Sequence, residues 1–172
     1  MARGGDPPAR RSAPEGGPGV SEIERTRGER ETAACGLRLG RRLPPGALVA
    51  LSGPLGAGKT VFVRGLAAAC GIPEEAITSP SFVLAVEHPE GRPPLLHVDL
   101  YRLAPGAAID DLGIEEAMEE GMLVAVEWGE RLPDHLLEAA VRVSLEPAGP
   151  DERIVRIEGG ALTPAGSSGL RG

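Results

Sequence analysis

The stretch that decides the fold runs from Leu51 to Gly71 and reads LSGPLGAGKTVFVRGLAAACG. It begins within a short apolar run, ALVALSG at residues 47–53, which is typical of a buried parallel strand. It ends as KTVFVRGLAAACG, which has the apolar periodicity of a helix that stops at a glycine. Between the two lies GPLGAGKT, which matches G-x-x-x-x-G-K-[ST], the pattern of loops that hold nucleotide phosphates. We therefore expect an α/β protein with a phosphate-binding loop at residues 53–60.

The chemistry of such a loop follows from its glycines and from the helix behind it. Glycines let consecutive backbone N–H groups point inward, and the helix N-terminus adds a positive end that favours anions. We expect Lys59 to reach the β and γ phosphates and the Thr60 hydroxyl to ligate Mg²⁺. The whole loop is predicted to contact the nucleotide: Gly53, Pro54, Leu55, Gly56, Ala57, Gly58, Lys59 and Thr60.

Lys59 is the only lysine of the chain, beside 17 arginines. A compact ammonium at this one position is not interchangeable with a planar guanidinium, which indicates a functional lysine. Without a second lysine the chain has no N-K-x-D signature for guanine, so the sequence favours ATP over GTP.

Apolar runs elsewhere predict the other elements. ETAACGLRLGRR predicts a helix before the loop, and AAIDDLGIEEAMEEG predicts a later helical segment. Further strands are predicted at SFVLAVEH, LLHVDLY, MLVAVEW, VRVSLE and RIVRIE. The predicted fold is a single α/β domain over residues 29–158, a three-layer P-loop NTPase-like architecture with a mixed, largely parallel central sheet. The ends, rich in Pro, Gly and Ser, predict a disordered tail at residues 1–28 and a flexible tail at residues 159–172.

Composition limits the classes of function. The 172-residue chain has a net charge of −7, which argues against strong direct binding of nucleic acid. Its two cysteines, Cys35 and Cys70, lack a CxxC spacing and fit small buried thiols in a reducing compartment. No apolar run is long enough to cross a membrane, so the expected location is the cytoplasm.

Two carboxylates complete the predicted site. Asp99 ends the run LLHVD and Glu127 ends MLVAVE. In open α/β sheets ligands bind beyond the carboxyl ends of the strands, where both side chains would meet the loop. We therefore predict Lys59, Asp99 and Glu127 as catalytic residues, and Thr60, Glu127 and Asp99 as ligands of Mg²⁺.

Four segments together resemble one family. GPLGAGKTVFVRGLA, ITSPSFVLAVE, HVDLYRL and VAVEWGERLP have the order and spacing of TsaE (formerly YjeE), the ATPase family of bacterial tRNA threonylcarbamoyladenosine biosynthesis. The resemblance implies an ATPase that acts on the TsaB–TsaD pair and meets tRNA only through that complex. In the scheme of that family, TsaD with TsaB transfers the threonylcarbamoyl group to the adenosine beside the anticodon of ANN-reading tRNAs, and the resemblance implies that ATP hydrolysis resets the complex between turnovers.

The resemblance also assigns residues. It implies that the segment from Ser79 to Phe82 is switch-like, that Asp99 is a second acidic element, and that Glu127, followed by Trp128, is the Walker B-type carboxylate. It places Thr32 and Arg153 on the adenine side of the nucleotide. The chain departs from the family pattern at Pro54, Ser81, Val61 and His88, which stand where the family usually has Asp, Thr, a second hydroxyl residue and Tyr.

Alternatives remain open from the sequence. A small-molecule kinase could use the same loop, and so could a nucleotide-sensing module with negligible turnover. His97 fits a hydrogen-bonded core histidine better than a ligand, and Trp128 fits core packing and a place beside the nucleotide equally well. Tyr101 and Arg102 fit surface packing or a partner contact.

Overall fold

The computed structural model describes residues 21–104 and 109–160. Most of each predicted tail, residues 1–20 and 161–172, therefore lies outside the described residues. The described part contains seven strands: β1 (Glu22–Arg27), β2 (Leu48–Ser52), β3 (Ala85–His88), β4 (Leu95–Asp99), β5 (Leu123–Glu127), β6 (Val141–Pro147) and β7 (Glu152–Glu158). Its α-helices are α1 (Gly28–Gly40), α2 (Lys59–Ala69), α3 (Ile114–Glu119) and α4 (Asp134–Ala139).

The strands form one mixed sheet in the order β1-β7-β6-β2-β5-β4-β3. Its centre is parallel, since β2 pairs in parallel with β5 and β6, and β4 with β5. The outer pairings, β1 with β7, β7 with β6 and β3 with β4, are antiparallel. Because the central strands share one direction, their carboxyl ends gather at one edge. The predicted mixed, largely parallel sheet is confirmed.

Helices cover both faces of this sheet. One buried cluster joins α1 and α2 to the face that carries Val49, Leu51 and Ala125. The other joins α3 and α4 to the face that carries Ala50 and Val124. Successive residues of β2 thus enter opposite cores, which explains why this strand is apolar throughout. The three-layer prediction is confirmed. None of the described helices combines the length and apolar character that crossing a bilayer requires.

The N-terminal boundary of the domain differs from the prediction. The sequence places residues 22–28 in a disordered tail, but β1 pairs with β7 over six residues and α1 begins at Gly28. Five of the six β1 residues are polar or charged, and only Thr26 is buried. An edge strand of this composition carries no apolar pattern, so the strand is recognised only through its pairing.

Two further elements are shorter than their sequence patterns suggest. SFVLAVEH forms a strand only from Ala85, because a turn over residues 80–84 precedes it and places Leu84 in the left-handed region at φ 67°. AAIDDLGIEEAMEEG forms a short 3-10 turn and then α3, with Gly113 at φ 70° between them. The first two residues of that run lie outside the described residues.

Candidate functional site

The loop predicted from the sequence connects β2 to α2, at the edge where the parallel strands end. Gly53 has φ 141°, and a Cβ there would lie 2.4 Å from the backbone oxygen of Leu145 on β6. Gly58 has φ 102° and is the N-cap of α2. Both positions require glycine, one for close approach and the other for its backbone conformation. The loop therefore rests tightly on the sheet edge with the N-terminus of α2 at its open side.

Lys59 is held by the loop in which it lies. Its Nζ donates to the carbonyl oxygens of Gly53 at 2.6 Å and Pro54 at 2.9 Å. The same ammonium lies 4.1 Å from the ring centroid of Trp128, a favourable cation–π distance. Burial lowers the pKa of Lys59. Nearby carboxylates oppose this shift, and Glu127 has the largest effect among them. The side chain is thus a buried, well-coordinated cation at the centre of the loop.

The predicted metal ligands meet in one place. The Thr60 hydroxyl donates to Oε1 of Glu127 at 2.7 Å. Asp99 and Glu127 lie in register at the ends of β4 and β5, and both are 3% exposed. Asp99 accepts from the Ser79 hydroxyl at Oδ2, 2.6 Å away, and from the Tyr101 N–H at Oδ1, 2.8 Å away. The two carboxylates and the hydroxyl converge at the carboxyl edge of the sheet, as the strand-end argument predicts.

This donor set fits Mg²⁺. The ligands offered are hard oxygens, and Mg²⁺ in nucleotide sites is bound by one or two protein groups together with phosphates and water. The described residues contain no group of three or more His, Cys, Asp and Glu side chains that would form an all-protein metal cage. The arrangement therefore suits a cation that arrives with a nucleotide.

An open cleft of about 410 Å³ lies over the loop. It is lined by Glu29, Leu55, Gly56, Gly58, Lys59, Thr60, Val61, Ser79, Ser81, Asp99, Tyr101, Glu127, Trp128 and Arg153. Three predicted contact residues, Gly53, Pro54 and Ala57, belong to the loop but do not border this cleft. Glu29 borders it without having been predicted, since its place at the start of α1 has no spacing signal relative to the loop.

Of the two residues predicted on the adenine side, only Arg153 lines the cleft. Its Nε donates to the Ala57 carbonyl at 2.9 Å, which ties β7 to the loop. Thr32 is fully buried and does not line the cleft, and its methyl carbon lies next to Gly58, 3.7 Å from where a Cβ would be at that position. Its hydroxyl bonds to the Thr26 hydroxyl at 3.0 Å and donates to the Gly28 carbonyl at 3.1 Å. Thr32 therefore ties β1 to the start of α1 beside the loop.

Neighbouring aromatic and polar residues extend the site. His97 is a hydrogen-bonded core histidine, as expected, and its partner is Glu127, at 2.9 Å from Nε2 to Oε1. Trp128 lies beside the loop rather than only in the core, with the Tyr101 ring centroid 5.0 Å away. Arg102 stacks on Phe82, 4.4 Å from the ring centroid, on the exposed side of the switch-like segment.

The departures from the family pattern are accommodated locally. Pro54 lacks an N–H, but its carbonyl accepts from Lys59 and from the Ala57 N–H at 3.1 Å. Ser81 keeps a hydroxyl bonded to the Ser79 hydroxyl at 2.8 Å. Val61 lines the cleft with an apolar side chain. His88 is buried in β3, with Glu90 3.4 Å from its Nδ1.

The fold and this loop define a protein of the P-loop type, with the loop between a central parallel strand and its helix. Comparison with known proteins narrows the class. The family model of TsaE, the threonylcarbamoyl adenosine biosynthesis protein, matches residues 26–155. The chain belongs to the TsaE family, and its role lies in tRNA threonylcarbamoyladenosine biosynthesis.

Individual relatives agree with this assignment. The tRNA threonylcarbamoyladenosine biosynthesis protein TsaE of Treponema pallidum is 43% identical over 133 residues, which cover 77% of this chain and 96% of that protein. TsaE of Streptomyces coelicolor is 44% identical over 66% of this chain and 77% of that protein. The crystal structure of YdiB from Bacillus subtilis superposes with a TM-score of 0.65 at 29% identity, over 83% of this chain and 88% of that one.

Proposed function

We propose that this protein is a Mg²⁺-dependent ATPase that acts on the TsaB–TsaD complex during threonylcarbamoyladenosine modification of ANN-decoding tRNAs in the cytoplasm. One observation carries the proposal: Thr60 and Glu127, which are 67 residues apart, share a 2.7 Å hydrogen bond beside the phosphate loop. In P-loop proteins a hydroxyl and a carboxylate placed in this way usually hold the Mg²⁺ that binds with the nucleotide.

The proposed mechanism is electrostatic positioning. Lys59 neutralises phosphate charge, and the backbone N–H groups of the loop together with the N-terminus of α2 orient the phosphates. Thr60, Glu127 and Asp99 would hold Mg²⁺, which when bound neutralises negative charge that develops on the transferred phosphoryl group. Asp99 is also suited to orient an attacking water, since Ser79 and the Tyr101 N–H fix both of its oxygens.

Exposed apolar side chains beside the site fit a dependence on partners. Phe82, the last residue of the switch-like segment beside Asp99, and Val83, which follows it, are 85% and 66% exposed. Large apolar side chains this exposed favour a protein contact. A partner seated there would reach Ser79, and through it Asp99. The proposal therefore expects slow hydrolysis by the protein alone and faster hydrolysis with TsaB and TsaD.

The test measures phosphate release from ATP by the purified protein, with and without the TsaB–TsaD pair. Wild-type protein is expected to need Mg²⁺ and to accelerate when the pair is added. Glu127→Gln is expected to lose at least about 100-fold in rate, because the carboxylate charge that supports the cation is gone. Glu138→Gln, which neutralises an exposed carboxylate on α4, serves as the matched control and keeps the wild-type rate.

Two results would contradict the proposal. If the complex forms but hydrolysis does not accelerate, coupling to the partners is wrong. If the protein instead transfers phosphate to a small hydroxyl compound in a substrate screen, the kinase alternative replaces the ATPase.

A further inference from the structure

His97 is buried in β4 directly behind the candidate metal site. It is 0% exposed, and its Nε2 lies 2.9 Å from Oε1 of Glu127. Its other nitrogen, Nδ1, is the one buried side-chain polar atom without a hydrogen-bond partner among residues 21–104 and 109–160. An imidazole that satisfies only one of its two nitrogens costs stability compared with an apolar side chain of similar size. The hydrogen bond to Glu127 is therefore the one specific interaction that a histidine, rather than an apolar residue, provides at this position.

The direction of that bond follows from the partner. An ionised carboxylate only accepts hydrogen bonds, so Nε2 carries the proton and donates. Nδ1 is then the bare nitrogen of a neutral ring, because a second N–H would be a buried donor with no acceptor. The interaction is a fixed donor aimed at one oxygen of the carboxylate.

Glu127 is thereby held from two sides through a single oxygen. Oε1 accepts from Thr60 on α2 at 2.7 Å and from His97 on β4 at 2.9 Å. Oε2 receives no hydrogen bond from the described residues. Two donors on Oε1 fix the plane of the carboxylate and leave Oε2 available to a ligand.

We propose that His97 is a positioning residue, which orients Glu127 so that Oε2 serves the divalent cation bound with the nucleotide. This inference rests on the proposed function. Outer-shell partners of metal ligands typically contribute about 10- to 100-fold in metal affinity, and we expect the lower end of this range because Thr60 also holds Oε1.

The first test compares His97→Leu, which removes the donor at similar volume, with His97→Gln, whose amide can donate from nearly the same place. Calorimetry measures the affinity for a non-hydrolysable ATP analogue with and without Mg²⁺. His97→Leu should reduce the Mg²⁺-dependent gain in affinity about tenfold and leave the metal-free affinity unchanged. His97→Gln should retain the gain within about threefold, since its donor replaces Nε2.

If His97 only filled space in the core, both of its variants would keep the Mg²⁺-dependent gain in affinity. Leu95→Val, two residues earlier on β4, lowers core packing without touching Glu127 and is expected to keep the full Mg²⁺ gain. If both His97 variants also keep it, the inference is overturned while the proposed function stands. If wild-type protein itself shows no Mg²⁺ gain, the proposed metal site fails and the inference fails with it.

A second measurement does not depend on the variants folding. Nitrogen-15 NMR of the metal-free wild-type protein reports the protonation of each imidazole nitrogen in its three histidines. For His97 the expected form has the proton on Nε2 and a bare Nδ1. A ring protonated on Nδ1 alone would overturn the inference, because Nε2 would then have nothing to donate.

Discussion

At the scale of the residue, Lys59 presents a cation at the loop that we propose holds the nucleotide phosphates. Two carbonyl oxygens and the face of Trp128 surround its ammonium, so the charge is compensated without an ion pair among the described residues. Neutral partners of this kind cost little to exchange for a phosphate, whereas a carboxylate in direct contact with the ammonium would compete with it. The position also explains why an arginine-rich chain keeps its only lysine here.

Replacing Lys59 tests this arrangement. Lys59→Ala is expected to lower the rate of ATP hydrolysis at least about 100-fold, because a preorganised charge on the phosphates is lost. Lys59→Arg should not restore the rate, since a planar guanidinium does not fit the space of a compact ammonium between the two carbonyls. Arg92→Ala removes an exposed cation far along the chain and serves as the control. A wild-type rate for Lys59→Ala would refute the site.

Trp128 gives an optical test of the same residue. It is the only tryptophan of the chain, and the Lys59 ammonium lies 4.1 Å from its ring centroid. A nucleotide that draws the ammonium toward its phosphates changes the environment of the indole. We expect a saturable change in tryptophan emission on titration with ATP and Mg²⁺, which Lys59→Ala should abolish. An unchanged spectrum under conditions where calorimetry detects binding would contradict the predicted movement.

At the scale of the element, the crossing of α1 and α2 sets where the loop helix begins. The helices pack through glycines: a Cβ at Gly65 would lie 1.9 Å from the Ala33 oxygen, and one at Gly36 would lie 2.3 Å from the Phe62 oxygen. Backbone meets backbone, so neither contact can be relieved by a change of rotamer. The start of α2, and with it Lys59 and Thr60, therefore depends on a helix contact outside the proposed nucleotide site.

Gly65→Ala tests this dependence. The added methyl group would force α1 and α2 apart, which we expect to cost about 1 to 3 kcal/mol of unfolding free energy, the usual range for overpacking. Nucleotide affinity should fall as well, because α2 carries Lys59 and Thr60, the proposed contacts to phosphate and metal. Chemical denaturation and calorimetry measure the two effects. Gly149→Ala, where a Cβ meets only ordinary contacts, should change stability by less than about 0.5 kcal/mol.

The sequence predicted the elements that carry periodic apolar patterns. β2, β4, β5 and α2 fill the buried centre, where burial on both faces leaves a clear pattern. β1 was missed because an exposed edge strand needs only backbone pairing, and the turn before β3 was missed because nothing local to Leu84 signals φ 67°. In the site, strand-end carboxylates were predictable from topology. The positions of Thr32 and Glu29 relative to the loop depend on how α1 packs in the fold, which no spacing in the sequence encodes.

At the scale of the whole molecule, the two thiols connect the core to the pH dependence of stability. Cys35 and Cys70 are buried and unpaired with each other. Burial is the largest cause that raises the pKa of Cys35 to about 12, with Glu24 adding to it, and burial alone raises that of Cys70 to about 11. In the unfolded chain both thiols should titrate near their ordinary value of 9.0.

The consequence is a loss of stability at high pH. A group whose pKa is raised by folding stabilises the folded state fully below its unfolded pKa, and this contribution is lost as pH rises toward the folded pKa. For Cys70 the loss falls between pH 9 and about 11, and it should amount to about 2 kcal/mol. Lys59 acts in the opposite sense, because its pKa is lowered by burial. The test therefore compares the free energy of unfolding of wild-type protein with that of Cys70→Ala, measured by urea denaturation across this pH range. The wild-type free energy of unfolding should fall more steeply with pH than that of the variant, and parallel curves would show that the Cys70 thiol does not couple folding to pH.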